Sequence, residues 1–141
     1  MKRYEYLEHT GDIGIRAYAS TLEELFINAA QGLFEATADL STIGTTTQTE
    51  IEVSAESLEE LMVAWLDELN FRHEVEEIFF GQVKIQKIST APYRLIAVAY
   101  GEPVNFTKHV VYTEIKSITY HQLIVEQTPD DRWMAQVIFD L

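Results

Sequence analysis

The sequence predicts an α+β fold in a single domain, with a mostly antiparallel or mixed sheet covered on one side by two amphipathic helices. Three observations carry that expectation. Only two segments repeat apolar residues at helical spacing, several others alternate at strand spacing, and the order of elements offers few β-α-β units. The chain has 141 residues and 47% hydrophobic content, enough for one sizeable core and far from the composition of a disordered or fibrous chain.

Residues 4–7 and 13–19 read as short strands around His9-Thr10-Gly11-Asp12, which makes that loop a tight connection at a sheet edge or end. Next, Leu22, Leu25, Phe26, Ala29, Ala30, Leu33 and Phe34 recur at i, i+3, i+4 and i+7, and Ser20 with Glu23 fits a capping box opening the first helix. Residues 39–48 are rich in Ser, Thr and Gly and read as a surface loop. Residues 50–54 alternate as a half-exposed strand. A second capping box, Ser57 with Glu60, opens a helix whose Leu58, Leu61, Met62, Trp65, Leu66 and Leu69 share one face. Met62 and Trp65 lie on that stripe and read as core.

The second half is strand-rich. Strands are expected over 80–89, 93–100, 110–115, 119–125 and 134–139, with turn signals at Ala91-Pro92 and at Thr128-Pro129-Asp130-Asp131. The apolar period slips between Ile115 and Ile118, which suggests a bulge or break, and a bulge there would re-aim Lys116. Gly101-Glu102-Pro103 and Lys108-His109 read as an exposed loop. The similar strand and cap patterns around the two helices hint at an internal duplication.

Composition narrows the function. There is no Cys, which excludes a disulfide framework, a thiolate zinc site and a Cys nucleophile. No apolar run reaches membrane-spanning length and no signal-like core follows Met1, so the expectation is a cytoplasmic protein with no membrane partner. The net charge of −13 repels phosphate backbones, so direct nucleic-acid binding is not expected. The same charge suits a basic protein partner, and also serves plain solubility. Gly-rich phosphate loops, nucleophile elbows and paired metal-binding histidines at helical spacing are all missing.

Two acidic positions stand out. Asp12 follows the Thr-Gly turn, and Asp140 is followed by Leu141 and its α-carboxylate, held by the last strand. Carboxylates meeting at one point repel unless a cation sits between them, and oxygen ligands favour Ca²⁺, with Mg²⁺ or Mn²⁺ as alternatives. In the other reading Asp12 merely ends a turn. His9 and His121 are candidates to line the site, and either is equally at home as a hydrogen-bonded structural residue.

The segments His9-Thr10-Gly11-Asp12-Ile13-Gly14-Ile15, Thr21-Leu22-Glu23-Glu24-Leu25-Phe26, Glu114-Ile115-Lys116-Ser117-Ile118-Thr119-Tyr120-His121 and Val137-Ile138-Phe139-Asp140-Leu141 together make the chain resemble the archease family over nearly its whole length. That resemblance implies a small acidic accessory protein that assists an RtcB-type tRNA-splicing RNA ligase, promoting its guanylylation and repeated turnover without being an enzyme itself. It implies a metal site at Asp12, Asp140 and Leu141 through its terminal carboxylate, and a functional lysine at Lys116 for contact with ligase or nucleotide. Gly11 stands where the family commonly has Ala, Leu141 where it has Ile, and the Gly101–Asn105 segment lacks an acidic residue expected after its proline. Two other classes remain open: a chaperone-like interaction module whose carboxylates only stabilise the fold, and a small metal-dependent hydrolase in which His9 or His121 activates water.

Overall fold

A computed structural model describes residues 2–141. Strands β1 (Tyr4–His9), β2 (Asp12–Ala19), β3 (Thr47–Ala55), β4 (Ile78–Thr90), β5 (Tyr93–Pro103), β6 (Ser117–Ile118), β7 (Ile124–Gln127) and β8 (Trp133–Asp140) accompany helices α1 (Leu22–Thr37) and α2 (Leu58–Glu76). The fold is α+β and the strand pairings are antiparallel. The strands form two sheets where one was expected: β1-β2-β8-β6 with β7 also on β8, and β3-β5-β4. Both helices touch both sheets. Helix α1 packs on β2 and β4, and α2 packs on β3, β4 and β5 and reaches β6 and β7.

That position explains the wide apolar face of α1. Leu25, Phe26, Ala29, Ala30, Leu33, Phe34 and Ala36 are all buried, and small residues among them let two sheets approach one helix. The first helix opens one residue later than the capping pattern suggests. Thr21 is the N-cap and its Oγ1 accepts from the Glu24 N–H at 3.2 Å, so the Ser20–Glu23 pairing is replaced by Thr21–Glu24. Ser57 caps α2 as expected, its Oγ accepting from the Glu60 N–H at 3.1 Å, while the Glu60 carboxylate accepts from the Glu56 N–H instead of closing the box on Ser57. Trp65 is fully buried and its Nε1–H donates to the Phe26 carbonyl at 2.9 Å, tying α2 to α1.

The expected strand at 110–115 is absent. Its backbone is claimed by other partners: Tyr112 and Thr113 N–H groups donate to the Thr37 carbonyl at the end of α1, Asp39 N–H donates to Val110, and the Ile115 carbonyl accepts from Asn70 Nδ2. One bridge, Ala38 to Val111, is the ladder contact that remains. Of the strand expected at 119–125 only Ile124 and Val125 are strand, at the start of β7, and the short β6 precedes it. β6 pairs Ile118 with Phe139 and β7 pairs Ile124 with Gln136, so the five residues 119–123 stand opposite only Val137 and Ile138 and a turn loops out between the two strands. At the slipped apolar period between Ile115 and Ile118 the short strand β6 begins, at Ser117, and the register bulges lie elsewhere, in β4 at Phe80/Gln82 and Ile85/Lys87.

Gly101 is required by the first of those bulges. A Cβ there would stand 2.0 Å from the Phe79 carbonyl oxygen and 2.9 Å from the Phe80 Cα, and neither is a side chain that can swing away. Gly101→Ala is expected to destabilise the domain by about 3 kcal/mol, near the upper end for overpacking. Urea unfolding of the variant checks it; an unchanged midpoint would contradict the close approach.

Candidate metal centre

Alternation along β2 places Ile13, Ile15, Ala17 and Ala19 on the core face, which leaves Asp12, Gly14, Arg16 and Tyr18 on the other. β8 alternates in the same sense, with Phe139 opposite Ile13 and Asp140 opposite Asp12. On its other edge Asp140 faces Ser117. Asp12, Asp140 and Ser117 thus form one row across the end of the first sheet. The His9 backbone, opposite Asp12, extends that row, while the His9 side chain lies outside the described part of the structure.

Like charges directly opposite on neighbouring strands destabilise a sheet. Asp12 adds a second cost, because its Oδ1 is buried and has no hydrogen-bond partner among the described residues. An unsatisfied buried acceptor costs about 1–3 kcal/mol, more when charged. Asp140 is exposed at the rim, and its backbone carbonyl accepts from the Lys116 N–H at 2.8 Å. Leu141, which follows Asp140, is half-buried and packs against the core. Among the described residues no three His, Cys, Asp or Glu side chains gather as a cation cage. The carboxylates of Asp12 and Asp140 supply two oxygen donors, and a third would have to come from the Leu141 carboxyl group. The orphaned Asp12 oxygen and the oxygen-only donor set fit a hard divalent cation.

The turn after β6 is built to hold this corner. Thr119 donates both its N–H and its Oγ1–H to the Ile138 carbonyl, at 3.0 and 2.9 Å, and accepts from the His121 N–H at 3.2 Å. Lys116 is exposed with no ion-pair partner among the described residues, and its backbone bond to Asp140 keeps it beside the end of β8. His121 is also exposed, on the looped-out turn.

A second polar cluster escaped the reading of the sequence. The segment around Glu102 was expected to be an exposed loop; Glu102 instead belongs to β5 and is 8% exposed. Its carboxylate accepts from Lys108 Nζ at 2.8 Å, His109 Nε2 at 2.7 Å and the Gly44 N–H at 2.8 Å. His109 is buried and its Nδ1 accepts from the Asn105 N–H at 3.0 Å, so the hydrogen bonds assign the proton to Nε2. Hydrogen bonds from Lys108, then His109 and Gly44, pull the Glu102 carboxyl down to about 2 from an ordinary 4.5. The folded-state pKa is depressed, so the stability this group contributes is present above pH 4.5 and is lost as pH falls from there toward 2. Wild type should therefore lose more of its urea midpoint across that window than Glu102→Gln does. Parallel curves would show that the cluster does not favour the ionised form.

The described helices include none long and apolar enough to cross a membrane. The model of the archease protein family matches residues 4–141. The chain is 44% identical over 142 residues to protein archease of Thermococcus gammatolerans and 41% identical over 142 residues to that of Pyrococcus furiosus, with all of each chain covered. It is 36% identical to protein archease of Methanopyrus kandleri, covering 98% of this chain and 99% of that one. The solution structure of a Methanobacterium thermoautotrophicum protein superposes with a TM-score of 0.82 at 33% identity over the full length of both. A match of this extent in sequence and in fold places the chain in the archease family.

Proposed function

We propose that this protein is a non-catalytic accessory factor of an RtcB-type tRNA-splicing RNA ligase, acting at ligase guanylylation and so sustaining multiple turnover. The observation that carries the reading is the buried Asp12 Oδ1, without a hydrogen-bond partner among the described residues and directly opposite Asp140. Asp12, Asp140 and the terminal carboxylate of Leu141 would hold a divalent cation, Ca²⁺ first and Mg²⁺ or Mn²⁺ as alternatives. A cation bound there supplies charge neutralisation among the carboxylates and a Lewis-acidic centre facing the partner. The chain's own residues do the rest. The β2–β8 pairing sets the two aspartates side by side, Leu141 packs against the core, and exposed Lys116 is free to meet a phosphate or a ligase carboxylate. The net charge of −13 complements a basic RNA-binding cleft, and a cytoplasmic location accompanies that role.

Multiple-turnover ligation by a cognate ligase tests the lysine. Wild type should raise the number of turnovers, and Lys116→Ala should lower the stimulation about tenfold or more, the usual loss on truncating one partner of a charged hydrogen bond. Full stimulation by Lys116→Ala would leave the lysine without the proposed contact and favour the interaction-module reading.

A further inference from the structure

A groove of about 360 Å³, whose lining includes neither Asp12 nor Asp140, lies between the C-terminal end of α2 and the segment that follows β5. Val104, Phe106 and Val111 supply apolar lining, and Glu74, Glu77 and Glu114 stand around it. Phe106 is 78% exposed, an unfavourable position for a large aromatic ring. It is nevertheless held firmly. Asn105 Oδ1 accepts from the Thr107 N–H and Oγ1–H, the Asn105 carbonyl accepts from the Lys108 and His109 N–H groups, and the Glu102–His109 pair pins the base of this turn. A rigidly presented, exposed aromatic beside a groove is a preorganised anchor.

Charge selects the occupant. Among the described residues none of the three glutamates has an ion-pair partner, whereas nearby Arg72 is committed to Glu68 and Glu76 and Lys108 to Glu102. Glu77 adds a cost in backbone: it ends α2 at φ 54°, ψ 52°, the left-handed conformation that glycine adopts freely and glutamate does not. Keeping a carboxylate there at the expense of strain is the kind of local compromise found at binding sites. An acidic rim repels anionic membranes and nucleic acids, and a second copy carrying −13 would meet the same repulsion.

We propose that this groove docks a cationic segment of a partner protein, one that inserts an apolar side chain beside Phe106 and Val111 while its flanking Lys or Arg residues meet Glu74, Glu77 and Glu114. The groove shares no lining residue with the aspartate row, and the proposal does not rest on the ligase reading.

The test uses the full chain and two fluorescent probes, a 12-residue amphipathic Leu/Lys peptide and its Leu/Glu counterpart, with anisotropy as the readout. The Leu/Lys peptide should bind at least about tenfold more tightly than the Leu/Glu peptide. Phe106→Ser and the triple Glu74→Gln, Glu77→Gln, Glu114→Gln variant should each weaken it about tenfold, while a charge-matched triple at exposed sites elsewhere, Glu50→Gln, Glu56→Gln, Glu126→Gln, should change it less than about twofold. Equal losses in the two triple variants would overturn the proposal, since binding would then follow net charge alone, and so would unchanged binding by Phe106→Ser. Sedimentation showing a wild-type dimer that Phe106→Ser dissociates would also overturn it, by identifying a second copy as the occupant.

Discussion

Asp12→Asn is expected to stabilise the protein in chelator and to abolish both its stabilisation by Ca²⁺ and its stimulation of the ligase. Asparagine keeps the shape of the side chain and removes the charge that opposes Asp140 across the β2–β8 pair. Relief of like-charge repulsion at directly opposite strand positions gives about 0.2–1 kcal/mol. Further relief comes from no longer burying a carboxylate oxygen that lacks a donor among the described residues. In wild type a cation present at 100 times its dissociation constant stabilises the native state by about 2.7 kcal/mol. For a domain of this size each kcal/mol moves the melting temperature by about 2–4 °C, so Ca²⁺ should raise wild type by roughly 5–10 °C. The variant should show no such rise. Thermal unfolding with and without Ca²⁺ measures both effects, and an equal Ca²⁺ rise in Asp12→Asn would remove Asp12 from the site.

Trp65→Ala is expected to produce the largest loss of stability, about 3–5 kcal/mol. Trp65 is among the largest fully buried side chains, and it bonds one helix to the other through Nε1–H to the Phe26 carbonyl. Truncation opens a cavity between the helices and strips that carbonyl of its side-chain donor. Trp65→Phe should recover part of the packing and none of the hydrogen bond, giving an intermediate midpoint in urea. Since the aspartate row is built on β2 and β8, Trp65→Ala should keep its Ca²⁺-induced rise, which separates a damaged core from a damaged site. A surface-like loss below about 0.5 kcal/mol would contradict the buried placement of the indole.

Both helices were legible because each carries an apolar stripe long enough to fix its period, and the terminal strand because Val137, Ile138 and Phe139 sit in a buried run. The facing of Asp12 and Asp140 could be anticipated as chemistry but not as register, because pairing across more than a hundred residues is set by the hydrophobic face of the whole sheet. Residues 110–115 look like a strand because Val110, Val111 and Ile115 have strand propensity, yet tertiary hydrogen bonds from the end of α1 and from Asn70 take their backbone. Glu102 and His109 were missed for a similar reason. A charged residue between glycine and proline reads as solvated, and only the fold shows that Lys108, His109 and the Gly44 amide converge on it.

On the proposed function, the aspartate row and the terminal carboxylate act together in ligase guanylylation. Single-turnover guanylylation of a cognate RtcB-type ligase, run with wild type, with Asp140→Ala and with one extra glycine after Leu141, tests it most directly. The extension converts the Leu141 carboxylate into an amide and leaves all native side chains in place. Acceleration by wild type, lost in both altered proteins while their folds survive, is the expected result; equal acceleration by all three, or none by wild type, would contradict the claim.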